Sequence, residues 1–317
     1  MYLQWAALVL MLSAAPVRLQ AQQTAPSSDS TGVRWSGYLQ AREIYRSGAG
    51  LTASINRARL SAAGNAAGDV TWRVQGEFRT GSVGTGRASV SLQDAYLRYQ
   101  PGPLGLQAGQ FKTPFSREFI MSLADVETAD RAVAVDSLAP KRDIGLMADY
   151  DVHGVAQASL GVFNGEGQNL TTTADSSLLV VGRATGRPLP FLTLGASVAD
   201  YAGDSTRYGV DVSLEHGGLT ARGEYLGQRR DDAKADDKGW YGLAAYRVVP
   251  WLQLTLRQED FRRSAISEDS RHRATTAGAN FGFSGGKVRL TVNYASRKIG
   301  VPGARRGTLV GQAQIRF

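Results

Sequence analysis

The segment Asp69–Arg79, DVTWRVQGEFR, places Val70, Trp72, Val74 and Phe78 on one face and Thr71, Arg73, Gln75, Glu77 and Arg79 on the other. A period of two describes an extended strand whose faces meet different surroundings. The same alternation runs through WLQLTLRQE, RYGVDVSLE and KVRLTVNY. It persists to the chain end, where Leu309, Gly311, Ala313, Ile315 and Phe317 oppose Gln312, Gln314 and Arg316. Segments of roughly ten residues in this pattern recur from Val33 onward, about 16 of them, and leave little room for helices. Composition agrees, since 37 Gly and 12 Tyr suit turns and strands, while the lack of Cys excludes disulfides and thiolate chemistry.

Alternating strands build soluble sandwiches as well as membrane barrels, and the connections separate the two. In a sandwich they have no preferred side. Here short turns such as PGPLG, DVHG, EHGG and VVPW take turns with longer polar loops: TGSVGTGR, the stretch from Lys112 to Arg142, NGEGQNLTTTADSS, RRDDAKADDKG, RRSAISEDSR and SRKIGVPGARRG. Short turns at one end and long loops at the other is the plan of an outer-membrane β-barrel. An even strand count returns both termini to the periplasmic side and makes Lys112–Arg142 the third outer connection. A barrel this wide is not filled by its own side chains, so an aqueous channel is expected.

A one-residue slip would turn the charged rows to lipid, at ~2–4 kcal/mol for each Arg or Lys near the midplane, so the polar face is the lumen. The segments Val90–Arg98 and Val155–Phe163 alternate least cleanly. Aromatic residues near segment ends, among them Trp35, Tyr38, Tyr45, Tyr99, Phe163, Tyr225, Trp240 and Trp251, are expected in two interfacial girdles.

Residues 1–21 contain an apolar run from Trp5 to Ala15, then Leu19 and Ala21 at the positions a signal peptidase reads, and are expected to be a cleaved secretory signal peptide. The run is short of the ~20 residues a spanning helix needs. Residues 22–32 read as a flexible periplasmic lead-in and 33–317 as the transmembrane β-barrel, located in the bacterial outer membrane.

DAYLRY (Asp94–Tyr99), GQFKTPFSREF (Gly109–Phe119) and DRAVAVDSLAPKRDIGLM (Asp130–Met147) resemble the phosphate-selective porins O and P. The resemblance implies an all-β protein, an antiparallel barrel of 16 strands whose third extracellular loop folds into the lumen and narrows the pore. It implies a homotrimer and passive diffusion of small anions, phosphate or polyphosphate. It also implies that the terminal Phe317 is read by the outer-membrane assembly machinery.

Charges opposite the apolar faces line such a pore. Arg57, Arg59, Arg73, Arg79, Arg183, Arg222, Arg247, Arg257, Arg289 and Arg316 lie there, with Glu77, Asp211, Glu215, Glu224 and Glu259. The formal net charge is +8, and guanidinium presents a fork that fits phosphate or carboxylate, so an anion preference follows. Within the family-like motif Lys112, Arg131 and Arg142, supported by Arg117 and Lys141, are the expected anion contacts, joined on the wall by Arg59, Arg73 and Arg79. The same loop holds Glu118, Asp125, Glu127, Asp130, Asp136 and Asp143. Arg131 and Arg142 therefore have an equal claim to be ion-paired with Asp130, Asp136 or Asp143 and to fold the loop. Other arginines face carboxylates across the lumen or the phosphates of lipopolysaccharide at the outer rim.

Nothing in the chain signals an enzyme, a cofactor, a metal site or a nucleic-acid partner. His153, His216 and His272 lack a second ligand at metal spacing, no Ser lies in a G-x-S-x-G elbow, and TGSVGTG has no following Lys-Ser/Thr pair. Three functions remain open: a phosphate-selective porin, a general porin of weak anion preference, and a structural or adhesive barrel whose lumen is plugged.

Overall fold

The computed structural model describes residues 32–80, 88–171, 177–230, 236–263, 271–299 and 305–317. The expected signal peptide and nearly all of the lead-in lie outside the described residues. Sixteen strands follow in chain order: β1 (Arg34–Arg46), β2 (Gly50–Ala67), β3 (Val70–Arg79), β4 (Ser89–Tyr99), β5 (Leu104–Lys112), β6 (Arg142–Val152), β7 (Ala156–Phe163) and β8 (Leu179–Leu189). The second half comprises β9 (Leu192–Tyr201), β10 (Ser205–His216), β11 (Leu219–Arg230), β12 (Asp237–Val249), β13 (Leu252–Arg262), β14 (His272–Phe283), β15 (Val288–Ile299) and β16 (Arg305–Arg316). Each strand pairs antiparallel with its chain neighbours, and β1 pairs antiparallel with β16, so the sheet is a closed barrel. Helices α1 (Arg117–Ile120) and α2 (Val133–Leu138) lie in the β5–β6 connection.

Side-chain alternation sets the two faces. Val74, Phe78, Leu254, Leu256, Val292 and Tyr294 point outward and are exposed, whereas Gln75, Glu77, Thr255, Arg257, Thr291 and Asn293 point inward and are buried. Both termini share one end with the tight turns after β2, β4, β6, β8, β10, β12 and β14. At the opposite end the alternation in length is not strict, because the connections after β1 and β9 are also tight turns, at residues 47–49 and 202–204.

The two segments of uneven alternation have different causes. Across β3 and β4 the register shifts between Gln75 and Gly76, so Gln93 is an extra residue, and Gln93 and Asp94 are both buried in succession. This is a β-bulge, and it re-aims the side chains that follow. β7, by contrast, alternates regularly, with Leu160 and Val162 outward and Phe163 inward. Phe163 and Tyr38 are thus not girdle residues, whereas Trp35, Tyr45, Tyr99, Tyr225, Trp240 and Trp251 are exposed on the outside.

Phe163 belongs to an apolar core that lies inside the ring. Phe115, Phe119, Val135 and Leu138 of the β5–β6 connection pack there with inward residues of the wall, including Leu179, Val181, Leu226, Tyr241, Leu243 and Phe261. Two of the wall strands involved, β8 and β12, carry apolar residues on both faces, which in a barrel means that something covers them within. Gly239 is part of that fit, since a Cβ there would come within 2.8 Å of the Ala134 side chain and of the Asp260 carbonyl. At the seam Gly37 and Phe317 exchange backbone hydrogen bonds of 2.9 and 3.1 Å, and the Phe317 ring covers the bare Cα of Gly37.

Candidate functional site

The β5–β6 connection meets the polar face of strands around the ring. Asp130 and the Ala129 carbonyl bind Arg42 of β1, the Leu138 carbonyl binds Arg207 of β10, and Glu127 binds Arg222 of β11. The Val133 N–H donates to Glu259 of β13, Asn280 of β14 donates to the Glu127 carbonyl, the Ala129 N–H donates to Asn293 of β15, and Gln314 of β16 donates to the Ala124 carbonyl. The connection is thus bonded to residues on the inward face of β1, β10, β11 and β13–β16.

Its tightest anchorage is on β11–β13. Glu224 accepts from the Ser116 hydroxyl at 2.6 Å, from the Glu118 N–H at 2.5 Å and from the Tyr241 hydroxyl at 3.0 Å. Ser116, at φ 62°, also caps α1 by accepting from the Phe119 N–H. The Glu118 carboxylate accepts from the Ala132 N–H at 2.9 Å and lies 3.7 Å from Arg257. Burial, reinforced by the neighbouring Glu224 carboxylate, pushes the Glu118 carboxyl up to about 7 against the pull of Arg257 and the Ala132 N–H. Asp130 moves the other way: burial would raise it, yet the Arg42 guanidinium at 2.7 Å holds it below the usual carboxylate range.

The eight cations expected to bind anions separate into two groups. Lys112 donates to the carbonyls of Ile120 and Met121 at 2.9 and 2.8 Å, and Arg131 to those of Glu118, Phe119 and Met121 at 3.0 Å each. Both also lie over the Phe119 ring. These two cations therefore clasp the open carbonyls at the end of α1, the ordinary electrostatic complement of a helix C-terminus. Arg117 faces Glu215 at 3.7 Å, and Lys141 is exposed. Arg131 and Arg142 each have partners other than the loop aspartates considered from the sequence.

Arg142 instead joins the wall of β2–β4. Its Nε lies 2.7 Å from Asp94 Oδ1, with Arg73 Nε at 3.6 Å from Oδ2 of the same carboxylate. Beside them Glu77 is shared by Arg59 and Arg79 at 2.5 Å each and by Arg57 at 3.6 Å. Five guanidinium groups thus surround two carboxylates, and the Nε groups of Arg57 and Arg73 are buried with no hydrogen-bond partner. At an effective dielectric of 20, one uncompensated unit charge attracts an anion at 5 Å by about 3 kcal/mol. Register and bulge build this wall. Arg59 stands opposite Glu77 across β2–β3, and the β4 bulge brings Asp94 to the lumen.

Arg42, Asp94, Arg207 and the bidentate pair of Arg98 with Asp149 at 2.6 and 2.8 Å were not singled out from the sequence. Arg42 was visible in principle, since β1 alternates Leu39 and Ala41 against Gln40 and Arg42. Asp94 was hidden because the bulge breaks the period. Among the described residues no group of three or more His, Cys, Asp or Glu is arranged to hold a metal ion.

The family model described as Phosphate-selective porin O and P matches residues 33–193. An anion-selective porin from Comamonas acidovorans is 15% identical, with a TM-score of 0.67 over 90% of this chain and 99% of that one. In-vitro folded OmpT of Vibrio cholerae in its trimer form is 11% identical, with a TM-score of 0.65 over 90% of this chain and 99% of that one. The outer membrane channel DcaP of Acinetobacter baumannii is 13% identical, with a TM-score of 0.63 over 92% and 99%. At such identities the likeness is one of fold. No curated protein matches the chain.

Proposed function

The chain belongs to the phosphate-selective porin O and P family and is an outer-membrane porin, and from that premise we propose that it passes small anions of the phosphate type by diffusion along the β2–β4 wall. The observation that carries the reading is the sharing of Glu77 and Asp94 among Arg57, Arg59, Arg73, Arg79 and Arg142. Five guanidinium groups divide two carboxylates, which leaves positive charge over, and the Nε groups of Arg57 and Arg73 hold no hydrogen bond, so an entering oxyanion gains charge-assisted hydrogen bonds on this wall. The wall arginines, Arg59, Arg73 and Arg79 first, are assigned to ion contact, and Lys112 and Arg131 to the shape of the loop. The loop narrows the path and faces the wall across it. Fold and family are those of a channel rather than an enzyme.

A trimer is the proposed assembly, supported by the trimer form of the Vibrio cholerae OmpT fold relative. Phe317, exposed at the seam, is the proposed mark for the assembly machinery. A general anion porin has the same wall, and the two differ in saturation. Chloride current through single channels is titrated with inorganic phosphate. Block that saturates at low phosphate, and that Arg73→Ala relieves, fits a phosphate site; current that only grows with added phosphate fits the general porin and overturns the specific reading.

A further inference from the structure

Among the described residues of the strands, the outward-facing Lys and Arg are gathered in one place. On β11–β16 the extracellular ends carry six outward cations, one to a strand: Arg229, Lys238, Arg262, Arg273, Lys298 and Arg305. Register puts them side by side. Lys238 stands opposite Arg262, Arg273 opposite Lys298, and Lys298 opposite Arg305, while Arg229 lies one outward step beyond Gly227, the partner of Lys238. Among the described residues, β1–β10 present no Lys or Arg on the outward face; their outward charges toward that end are Glu43 and Asp200. The cations are therefore confined to one arc and one end.

The arc has a prepared centre. Asp260, outward and opposite both Trp240 and Arg273, holds Arg271 at 2.6 Å and Arg273 at 3.1 Å, which brings two guanidinium groups to one carboxylate. Beside them a hollow of about 260 Å³ is lined by Tyr225, Lys238, Trp240, Asp260, Arg262 and Arg271. Its position is where the apolar band ends, since Tyr225 and Trp240 are the outermost aromatics of their strands and Leu256 and Leu254 follow below Asp260. Charged side chains are tolerated on the outside of a barrel only near the interface, where they meet headgroups rather than hydrocarbon. Among the described residues Asp236 and Asp260 are the outward carboxylates of this arc, fewer than its cations.

The geometry points to a binding site for the phosphorylated headgroup of lipopolysaccharide, the glycolipid of the outer leaflet, on the outer ends of β11–β16. Arg271, Arg273, Arg262 and Lys238 bind its phosphates, for which the guanidinium fork is suited. Trp240 and Tyr225 support the sugar and the start of the acyl chains, the usual station of amphipathic rings at a membrane interface. The acidic outward residues Glu43 of β1 and Asp200 of β9 flank the arc on its two sides and limit it there.

The test is native mass spectrometry of the intact barrel in detergent with lipid A bearing both phosphates, lipid A stripped of phosphate, and phosphatidylglycerol. Phosphorylated lipid A is expected to bind about tenfold more tightly than the other two, and Lys238→Glu with Arg273→Glu to abolish that advantage with conductance unchanged. A photoreactive lipid A is expected to label β11–β16 and not β1–β10. Equal binding of stripped lipid A or of phosphatidylglycerol, undiminished binding by the variant, or labelling spread round the barrel would each overturn the assignment. Should the charge-reversed protein fail to assemble, the lipid comparison and the labelling on the unaltered barrel decide.

Discussion

On the β2–β4 wall five guanidinium groups divide two carboxylates, whereas on the β11–β13 wall Glu224 and Glu259 accept N–H and O–H groups from the loop, and Tyr241, Leu243 and Ala245 lie in the apolar core beneath it. One side of the lumen keeps unspent charge, and the other spends its polar groups on holding a segment in place. The difference teaches that an arginine in a pore motif is not read by its type alone. Lys112 and Arg131 sit in the most family-like stretch of the chain and serve carbonyls, while Arg59 and Arg73 sit on plain alternating strands and keep divided partners.

The most drastic way to break the contrast is Glu77→Gln. It leaves Arg57, Arg59 and Arg79 mutually repelling around an amide, and loss of one partner from a buried ionic network costs ~3–5 kcal/mol. A lower unfolding midpoint in denaturant is the expected result. On the other wall Leu138→Ala opens a cavity in the core under α2, at ~2–5 kcal/mol for a buried Leu, and should release the loop without changing the sign of selectivity. The readout is a rise in conductance and in open-channel noise. Glu224→Ala leaves the Ser116 and Tyr241 hydroxyls and the Glu118 N–H without their acceptor, worth ~1–3 kcal/mol, and should raise noise to a lesser degree.

The smallest expected effect is on pH. Glu118 titrates at about 7 when docked against an ordinary 4.5, so its neutral form is the one the docked loop favours. Its contribution is full below pH 4.5, falls as pH rises between these values and is gone above 7. Asp130, held low by Arg42, loses its contribution only in more acidic solution, whereas Glu127 of the same loop is raised by burial and shifts in the same sense as Glu118. Open-channel noise should be lower at pH 5 than at pH 8, and Glu118→Gln should flatten the difference. Equal noise across this range in the unaltered protein would show that the loop is held without the help of this carboxyl.

Much of the barrel was legible because alternation is a local property: the parity of β3, β13, β15 and β16 follows from a few residues each. The wall arginines were legible for the same reason. What was not legible depended on contacts between distant segments. The bulge at Gln93 hides Asp94 by breaking the period it would be read from, and the inward turn of Phe163 looks like a girdle residue until Phe111 is found with its ring centroid 5.4 Å away. The clasp of Lys112 and Arg131 on α1 could not be read, because a helix of four residues leaves no periodic trace. One signal of the inner core does stand in the sequence: LVVG on β8 and WYGLAAY on β12 are apolar on both faces, and a strand with a wet lumen behind it has no use for that.

The most direct test of the central claim sets two multiple variants side by side. Reversal potentials in a potassium chloride gradient are measured for Arg59→Ala/Arg73→Ala/Arg79→Ala and for Lys112→Met/Arg131→Met. The wall variant is expected to lose about tenfold in the ratio of anion to cation permeability, ~1.4 kcal/mol, while the loop variant keeps the anion preference and becomes noisier. Loss of selectivity in the loop variant with the wall variant unchanged would contradict the account.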